Sequence, residues 1–258
     1  MKRLAPEVRS EVAAAVQRVL DHGWYVLGPE LEAFENEFAS YTGARFCIGV
    51  GNGTDALELA LRATGVRPGS RVATIASAGM YATTAILACG AIPVWIDVQP
   101  GTSHMNLEQL STARPDLQAV VATHLYGQME PMPEVLDAAG SVPVIEDCAQ
   151  AHGASLQGRQ AGTWGIAGCF SFYPTKNLGA FGDGGAVITS DAEIAGTIRA
   201  LRQYGWTAKY ASSVQGGRNS RLDEMQAAVL RAKLPYLDRW NQRRREIAEA
   251  YGLVERPS

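Results

Sequence analysis

The feature that most constrains the fold of this chain is a regular alternation of short apolar segments with helical segments. The apolar segments, each typical of a buried strand, are predicted near residues 46–50, 71–76, 92–97, 118–123, 142–146, 168–172 and 185–190. Helical patterns separate most of them, and others lie near 7–21, near 30–41 and in the last third of the chain. Strands that alternate with helices form parallel or mixed sheets covered on both faces, so we predict an α/β fold. Ligand-binding loops are then expected at the strand ends.

Composition and charge exclude several classes of protein. With 47% hydrophobic and 19% charged residues among 258, the chain is typical of a folded α/β domain and not of a disordered one. Its net charge of −3 provides no basic face for nucleic acid. We find no signal peptide and no apolar run of about 18 residues that could cross a membrane. The four cysteines and four histidines show no paired spacing, so we expect reduced thiols, no metal site and a cytoplasmic location.

One lysine lies in a glycine-rich segment that follows the sixth predicted strand. The segment FSFYPTKNLGAFGDGG spans residues 170–185 and contains Lys176. Glycine has no side chain, so the backbone here can approach a flat ligand closely. A lysine in such a place can form a Schiff base if desolvation or a nearby cation lowers its pKa from about 10.4. The alternative is an ordinary solvated loop lysine.

A second segment, PVIEDCAQAHGA at residues 143–154, is a predicted strand that ends in the acidic pair Glu146 and Asp147. A carboxylate fixed at a strand end can keep a pyridinium nitrogen protonated, which an electron-sink cofactor requires. Gln150 could donate a hydrogen bond to a ring oxygen of the same ligand. The alternatives are a helix N-cap for Asp147, a loop contact for Glu146 and a surface amide for Gln150.

A third segment, CIGVGNGTDALELALRATG at residues 47–65, combines a strand, a Gly-Asn-Gly-Thr turn and an apolar helix. Free backbone N–H groups at the helix start, together with the Thr54 hydroxyl, would form a cup for a phosphate. The glycine spacing fits neither the P-loop nor the dinucleotide fingerprint. Thr54 could instead be only the N-cap of this helix.

In these three segments and their order, the chain resembles the DegT/DnrJ/EryC1/StrS family of pyridoxal-phosphate-dependent sugar aminotransferases over nearly its whole length. Further matching segments are GWYVLGPELEAFENEFASYTG, THLYGQ and GGRNSRLDEMQAAVLRAKLPYLDRWNQRR. The resemblance implies an aspartate aminotransferase-like (fold type I) large domain with a mixed, mainly parallel seven-stranded sheet and helices on both faces. It also implies an N-terminal helical segment (1–45), a cofactor-binding large domain (46–215) and a helical connection (216–258) toward a C-terminal small domain that is mostly absent.

The resemblance also implies roles for individual residues. The cofactor would be pyridoxal 5'-phosphate, with Lys176 as the Schiff-base lysine and Asp147 at the pyridine nitrogen. Further implied contacts are Gln150 near the ring hydroxyl, Gly53, Thr54 and Ser171 around the phosphate, and Asn219 at the phosphate of the neighbouring protomer in a homodimer with shared sites. Relatives carry an aromatic residue that stacks on the ring where this chain has Met80. Tyr81 could replace it if the loop shifts by one residue.

The implied reaction moves an amino group from glutamate or glutamine to a nucleotide-linked keto-deoxy sugar. The run LRQYGWTAKY before GRNSRLDEMQAA favours the branch that acts on 3-keto sugars over the 4-keto branch, and cyclitol aminotransferases are a further alternative. Relatives continue beyond the position of Ser258 into the small domain. The competing hypothesis is therefore an inactive homologue that binds the cofactor or a sugar nucleotide.

Overall fold

The computed structural model describes residues 6–252, so the outer ends of the first and last predicted segments, 1–5 and 253–258, lie outside it. Its α-helices are α1 (Pro6–His22), α2 (Pro29–Thr42), α3 (Gly53–Ala63), α4 (Tyr81–Ala88), α5 (Leu107–Ala113), α6 (Met132–Ala139), α7 (Ala192–Leu201), α8 (Glu224–Lys233) and α9 (Leu237–Ala250). Short 3-10 turns lie at Ala76–Ala78, Arg114–Asp116, Leu125–Gly127 and Leu234–Tyr236.

The strands are β1 (Phe46–Val50), β2 (Arg71–Ile75), β3 (Ile92–Ile96), β4 (Ala119–Thr123), β5 (Val144–Asp147), β6 (Ser155–Leu156), β7 (Arg159–Gln160), β8 (Ala167–Ser171), β9 (Gly185–Thr189), β10 (Trp206–Ala208) and β11 (Ala211–Ser212). The main sheet has the order β1-β9-β8-β5-β4-β2-β3. Its strands are parallel from β8 to β3, whereas β9 runs antiparallel to both β1 and β8. The predicted mixed, mainly parallel seven-stranded sheet is confirmed.

Helices cover both faces of the sheet because successive strand side chains point to opposite sides. In β4, which is buried throughout, Val121 packs into the core under α3, α4 and α7. Its neighbour Val120 packs into the core under α5 and α6 on the other face. Near β1, β8 and β9 this second face is covered by α2 and α8. No helix within 6–252 is both long and apolar enough to cross a membrane.

The predicted terminal helical segments pack against each other. Val8 and Val12 of α1 contact Val229 of α8 in a small apolar cluster. The buried carboxylate of Glu224, at the start of α8, accepts hydrogen bonds from the N–H groups of Gly28, Glu30 and Leu31 at 2.8–2.9 Å. A carboxylate is favourable there because it meets the exposed N–H groups at the start of α2.

The topology brings the predicted site segments to one edge of the sheet. Asp147 ends β5 and Ser171 ends β8, and these two strands are parallel neighbours. Strand β1 is antiparallel to β9, as β8 is, so the turn from β1 into α3 opens at the same edge.

Candidate active site

The turn between β1 and α3 forms a cradle against the end of β8. Asn52 caps α3, since its Oδ1 accepts a hydrogen bond from the N–H of Asp55 at 2.8 Å. Thr54 therefore lies in the first turn of α3 and is not its N-cap. The N–H groups of Gly53 and Thr54 have no intrahelical acceptor. A Cβ built on Gly53 would lie 2.6 Å from the Cβ of Ser171, so the backbone and that hydroxyl side chain are in close contact. Free N–H groups, two hydroxyls and a glycine backbone suit a phosphate.

Replacing Gly53 with alanine should weaken the binding of a phosphate-bearing ligand because the new methyl group must displace Ser171. We expect at least a tenfold rise in the dissociation constant for pyridoxal phosphate, about 1.4 kcal/mol, measured by fluorescence titration. Gly196→Ala is the matched control, since its helical position has no atom within 4 Å of the added Cβ. An unchanged affinity in Gly53→Ala would place the phosphate elsewhere.

Asp147 is a buried carboxylate, with only 5% of the residue exposed. Its Oδ1 accepts a hydrogen bond from the N–H of Ala149 at 3.1 Å. Residues 149 and 150 form a turn, so Asp147 caps no helix. Burial raises the pKa of Asp147, while the hydrogen bond from the Ala149 N–H and electrostatic interactions with His124 and Lys176 act to lower it. A cation placed against this carboxylate would offset the cost of burying its charge.

Lys176 is half-buried in the loop between β8 and β9, where its N–H donates to the carbonyl of Tyr173 at 2.8 Å. Burial lowers the pKa of Lys176, and the charge of Asp147 acts in the opposite direction. The two side chains are therefore close enough to influence each other's charge. A lowered pKa increases the neutral fraction of the amine, which is the form that attacks an aldehyde.

The other predicted ring contacts lie on the turn after β5 and at the start of α4. Gln150 is exposed, and its Oε1 accepts a hydrogen bond from the N–H of Tyr126 at 2.6 Å, which leaves its Nε2 group as the donor toward a ligand. Met80 and Tyr81, 74% and 63% exposed, lie at the start of α4 beyond the end of β2. Both side chains stay candidates for stacking on the ring.

Asn219 lies on a segment that is fixed to the phosphate cradle. Its neighbour Arg218 forms ion pairs with Asp55, at 3.2 Å, and with Glu58 of α3. Its other neighbour, Ser220, donates a hydrogen bond from Oγ to Asp55 at 2.6 Å. Asn219 itself is exposed between these two anchored residues. Its predicted contact with a neighbouring protomer stays a prediction.

Sequence reasoning missed a buried pair beneath the site, formed by His124 and Glu146. His124 Nδ1 accepts a hydrogen bond from the N–H of Glu130, so in the neutral ring Nε2 carries the proton and donates to Glu146 at 2.8 Å. Glu146 also accepts three backbone N–H bonds from Gly162, Trp164 and Gly165. This is the loop contact considered for Glu146. The segment THLYGQ, noted only as a family match, contains the histidine.

Cys148 lies near His124 and Glu146, and the three side chains converge within 4.8 Å, a spacing that metal ligands can have. However, the Glu146 oxygens already accept four hydrogen bonds. Burial raises the pKa of the Cys148 thiol, which disfavours the thiolate that a metal would need. The donor set is therefore better explained as a hydrogen-bonded support for β5.

Comparisons with known proteins show what this chain is similar to. The model of the DegT/DnrJ/EryC1/StrS aminotransferase family matches residues 6–253. A dTDP-3-amino-3,4,6-trideoxy-alpha-D-glucose transaminase from Streptomyces venezuelae is 47% identical over 265 residues, which cover all of this chain and 69% of that protein. The chain thus spans about two thirds of the length of this relative.

Solved structures show the same similarity. The crystal structure of DesV from S. venezuelae matches with a TM-score of 0.92 and 46% identity, over 97% of this chain and 69% of DesV. NtdA from Bacillus subtilis, solved with the cofactor PMP bound, matches with a TM-score of 0.85 and 29% identity, over 91% of this chain and 54% of NtdA.

Proposed function

The chain belongs to the DegT/DnrJ/EryC1/StrS aminotransferase family, and from this premise we propose that it binds pyridoxal 5'-phosphate and transfers an amino group to a nucleotide-linked keto sugar. The observation that carries the proposal is the proximity of the half-buried Lys176 to the buried Asp147 at the sheet edge where the α3 cradle opens. A structural scaffold has no need for a desolvated lysine, a buried carboxylate and a phosphate-sized cradle at one edge.

When bound, pyridoxal phosphate supplies an electron sink for the bonds at the α-carbon of an amino donor. Gly53, Thr54 and Ser171 would hold its phosphate, and Asp147 would keep a proton on its ring nitrogen. Lys176 Nζ would bind the aldehyde carbon covalently and release it to the donor amine. The freed Lys176 amine would then move a proton from the donor α-carbon to the former aldehyde carbon, acting first as base and then as acid.

The acceptor is proposed as a nucleotide-linked 3-keto sugar, and the donor as glutamate or glutamine. Support comes from the S. venezuelae relative, whose name describes a 3-amino sugar linked to dTDP. The runner-up is an inactive homologue that binds the cofactor or a sugar nucleotide without turnover. We also propose a cytoplasmic location, because the cysteines show no spacing typical of disulfides.

The donor half-reaction distinguishes these two functions without knowledge of the sugar. The purified chain is loaded with pyridoxal phosphate, mixed with glutamate, and followed by absorbance near 400 nm and by release of 2-oxoglutarate. Loss of the absorbance with one equivalent of 2-oxoglutarate per site supports the aminotransferase. Stable absorbance with no 2-oxoglutarate supports the binding protein. Addition of a dTDP-linked 3-keto sugar to the aminated form then tests the acceptor.

We propose that the working form is a two-fold homodimer in which Asn219 reaches the partner's cofactor phosphate. Support comes from the exposure of Asn219 beside the cradle and the anchoring of its neighbours to α3. Because a ligand that binds only the assembled form favours that form, pyridoxal phosphate should increase the dimer fraction in sedimentation runs at low concentration. Asn219→Ala should lose this effect, and Gln215→Ala, an exposed residue nearby, should keep it. A monomer that binds the cofactor tightly would refute the shared site.

A further inference from the structure

One buried amide on α9 joins the two loops that carry the proposed reacting groups. Asn241 is 7% exposed. Its Nδ2 donates a hydrogen bond to the carbonyl of His152 at 2.7 Å. Its Oδ1 accepts one from Asn177 Nδ2 at 2.9 Å and one from Arg244 at 3.2 Å. The oxygen faces two donors and the nitrogen faces a carbonyl, which fixes the orientation of the amide. Neither an apolar side chain nor the amide with its oxygen and nitrogen exchanged could make these three hydrogen bonds.

Each loop joined by this amide carries one member of the candidate pair. Asn177 directly follows Lys176, and His152 lies in the turn that begins at Asp147. These positions are 64 and 89 residues from Asn241 in the chain. The bridge therefore connects the lysine loop and the aspartate turn through a third element that carries neither group.

The backbone of the aspartate turn is shaped to meet this side chain. Gly153 has a φ of 79°, in the left-handed region that favours glycine. A Cβ built there would lie 2.8 Å from Asn241 Nδ2 and 2.6 Å from the Tyr41 hydroxyl. The close approach explains why glycine follows His152. Gly153 also lies close to a second contact of α9, the hydrogen bond that the Tyr41 hydroxyl donates to Asp238 at 2.6 Å.

The ring of His152 does not supply an alternative polar link. It is 2% exposed and packs against Phe170 and Phe172, with ring centroids at 5.4 Å and 5.8 Å. Burial, with the charge of Lys176 as a smaller cause, lowers the pKa of His152 to about 3, so the ring is neutral. Within residues 6–252 neither ring nitrogen has a hydrogen-bond partner. The turn is therefore tied to α9 through its backbone carbonyl.

We propose that Asn241 is a positioning residue, which holds Lys176 and Asp147 in register by bridging the loops that carry them. The proposal rests on the role of Lys176 proposed above. It predicts that loss of the bridge loosens the lysine loop and lets water reach Nζ. The environment of Lys176 should then change even in the cofactor-free chain.

The test measures Lys176 directly. Trace acetylation of the cofactor-free chain with acetic anhydride at a series of pH values, read by peptide mass spectrometry, gives the pH at which Lys176 loses its proton. In Asn241→Leu we expect this midpoint to rise by about half a unit or more toward that of a free lysine, because burial is what lowers it. The dissociation constant for pyridoxal phosphate should rise about tenfold, as expected for loss of a hydrogen-bonded support.

Two further variants make the outcome decisive. Asn177→Ala removes the hydrogen bond between the lysine loop and Asn241 at its half-buried end and keeps the contact of Asn241 with Arg244. It should reproduce the rise in the Lys176 midpoint even if Asn241→Leu fails to fold. Tyr41→Phe removes the neighbouring contact between α2 and α9 but leaves the bridge, and should keep the wild-type midpoint. Asp147, His152 and Arg244, the titratable and charged groups near this region, are present in all three variants.

Each result has a defined meaning. A shift in both bridge variants and none in Tyr41→Phe supports the proposal. A wild-type midpoint in Asn177→Ala, or an equal shift in Tyr41→Phe, overturns it, because α9 would then act only as general packing. Failure of the wild-type chain to bind pyridoxal phosphate would refute the proposed function, whereas the acetylation profile would still decide whether Asn241 positions Lys176.

Discussion

Replacing Lys176 with alanine should abolish the absorbance near 400 nm that the chain acquires with pyridoxal phosphate, together with the half-reaction with glutamate. Because we propose Lys176 as the residue that forms the covalent link, we expect release of 2-oxoglutarate to fall to background. The fold should persist because Lys176 lies in a loop and its side chain is only half-buried. Absorbance spectra and thermal unfolding of the same samples measure both effects.

The control for Lys176→Ala is Lys209→Ala, which removes an exposed lysine of the β10–β11 hairpin. It should keep both the spectrum and the half-reaction, which shows that the signal is not a surface adduct. If the spectrum of Lys176→Ala were unchanged, the assignment of this lysine would be wrong and the chemistry would have to lie elsewhere.

Asp147→Asn should retain the cofactor but lose transamination by on the order of a hundredfold or more, since a neutral amide cannot hold the ring nitrogen protonated. Single-turnover rates with glutamate measure the loss, while a dissociation constant near that of the wild type shows that binding survives. Asp137→Asn makes the same chemical change on the exposed face of α6 and should leave the rate unaltered. Near-normal turnover in Asp147→Asn would make the carboxylate purely structural.

The stability of Asp147→Asn provides an independent check. Burial raises the pKa of Asp147 in the folded chain. The folded state then holds this proton more tightly than the unfolded state, so the contribution of Asp147 to stability falls as pH rises above the unfolded pKa of about 3.9. An amide does not titrate, so the variant should be at least as stable as the wild type at pH 7. Thermal unfolding of the cofactor-free proteins at pH 5 and pH 7 measures this difference.

The strands of the sheet could be predicted because their signal is local. Each is a short apolar run bounded by turn residues. Six of the strands are mostly buried, and burial on both faces requires such a run. The edge strand β3 carries an apolar run too, although Ile92 and Trp95 are exposed. The largest boundary difference is at β5, which was predicted from residue 142 and begins at Val144. The hairpins β6–β7 and β10–β11 were missed since their two- and three-residue strands are half-exposed or exposed and carry no apolar run.

The sequence by itself determined the strand-and-helix alternation and the positions of Lys176, Asp147 and the α3 turn, because glycine turns and strand ends are recognisable within a few residues. Only the tertiary structure decided which distant side chains support them. The Asn177–Asn241 and Arg218–Asp55 contacts span 64 and 163 residues. Such pairs form where packing leaves a buried polar group that must be satisfied, and no periodicity along the chain encodes that requirement.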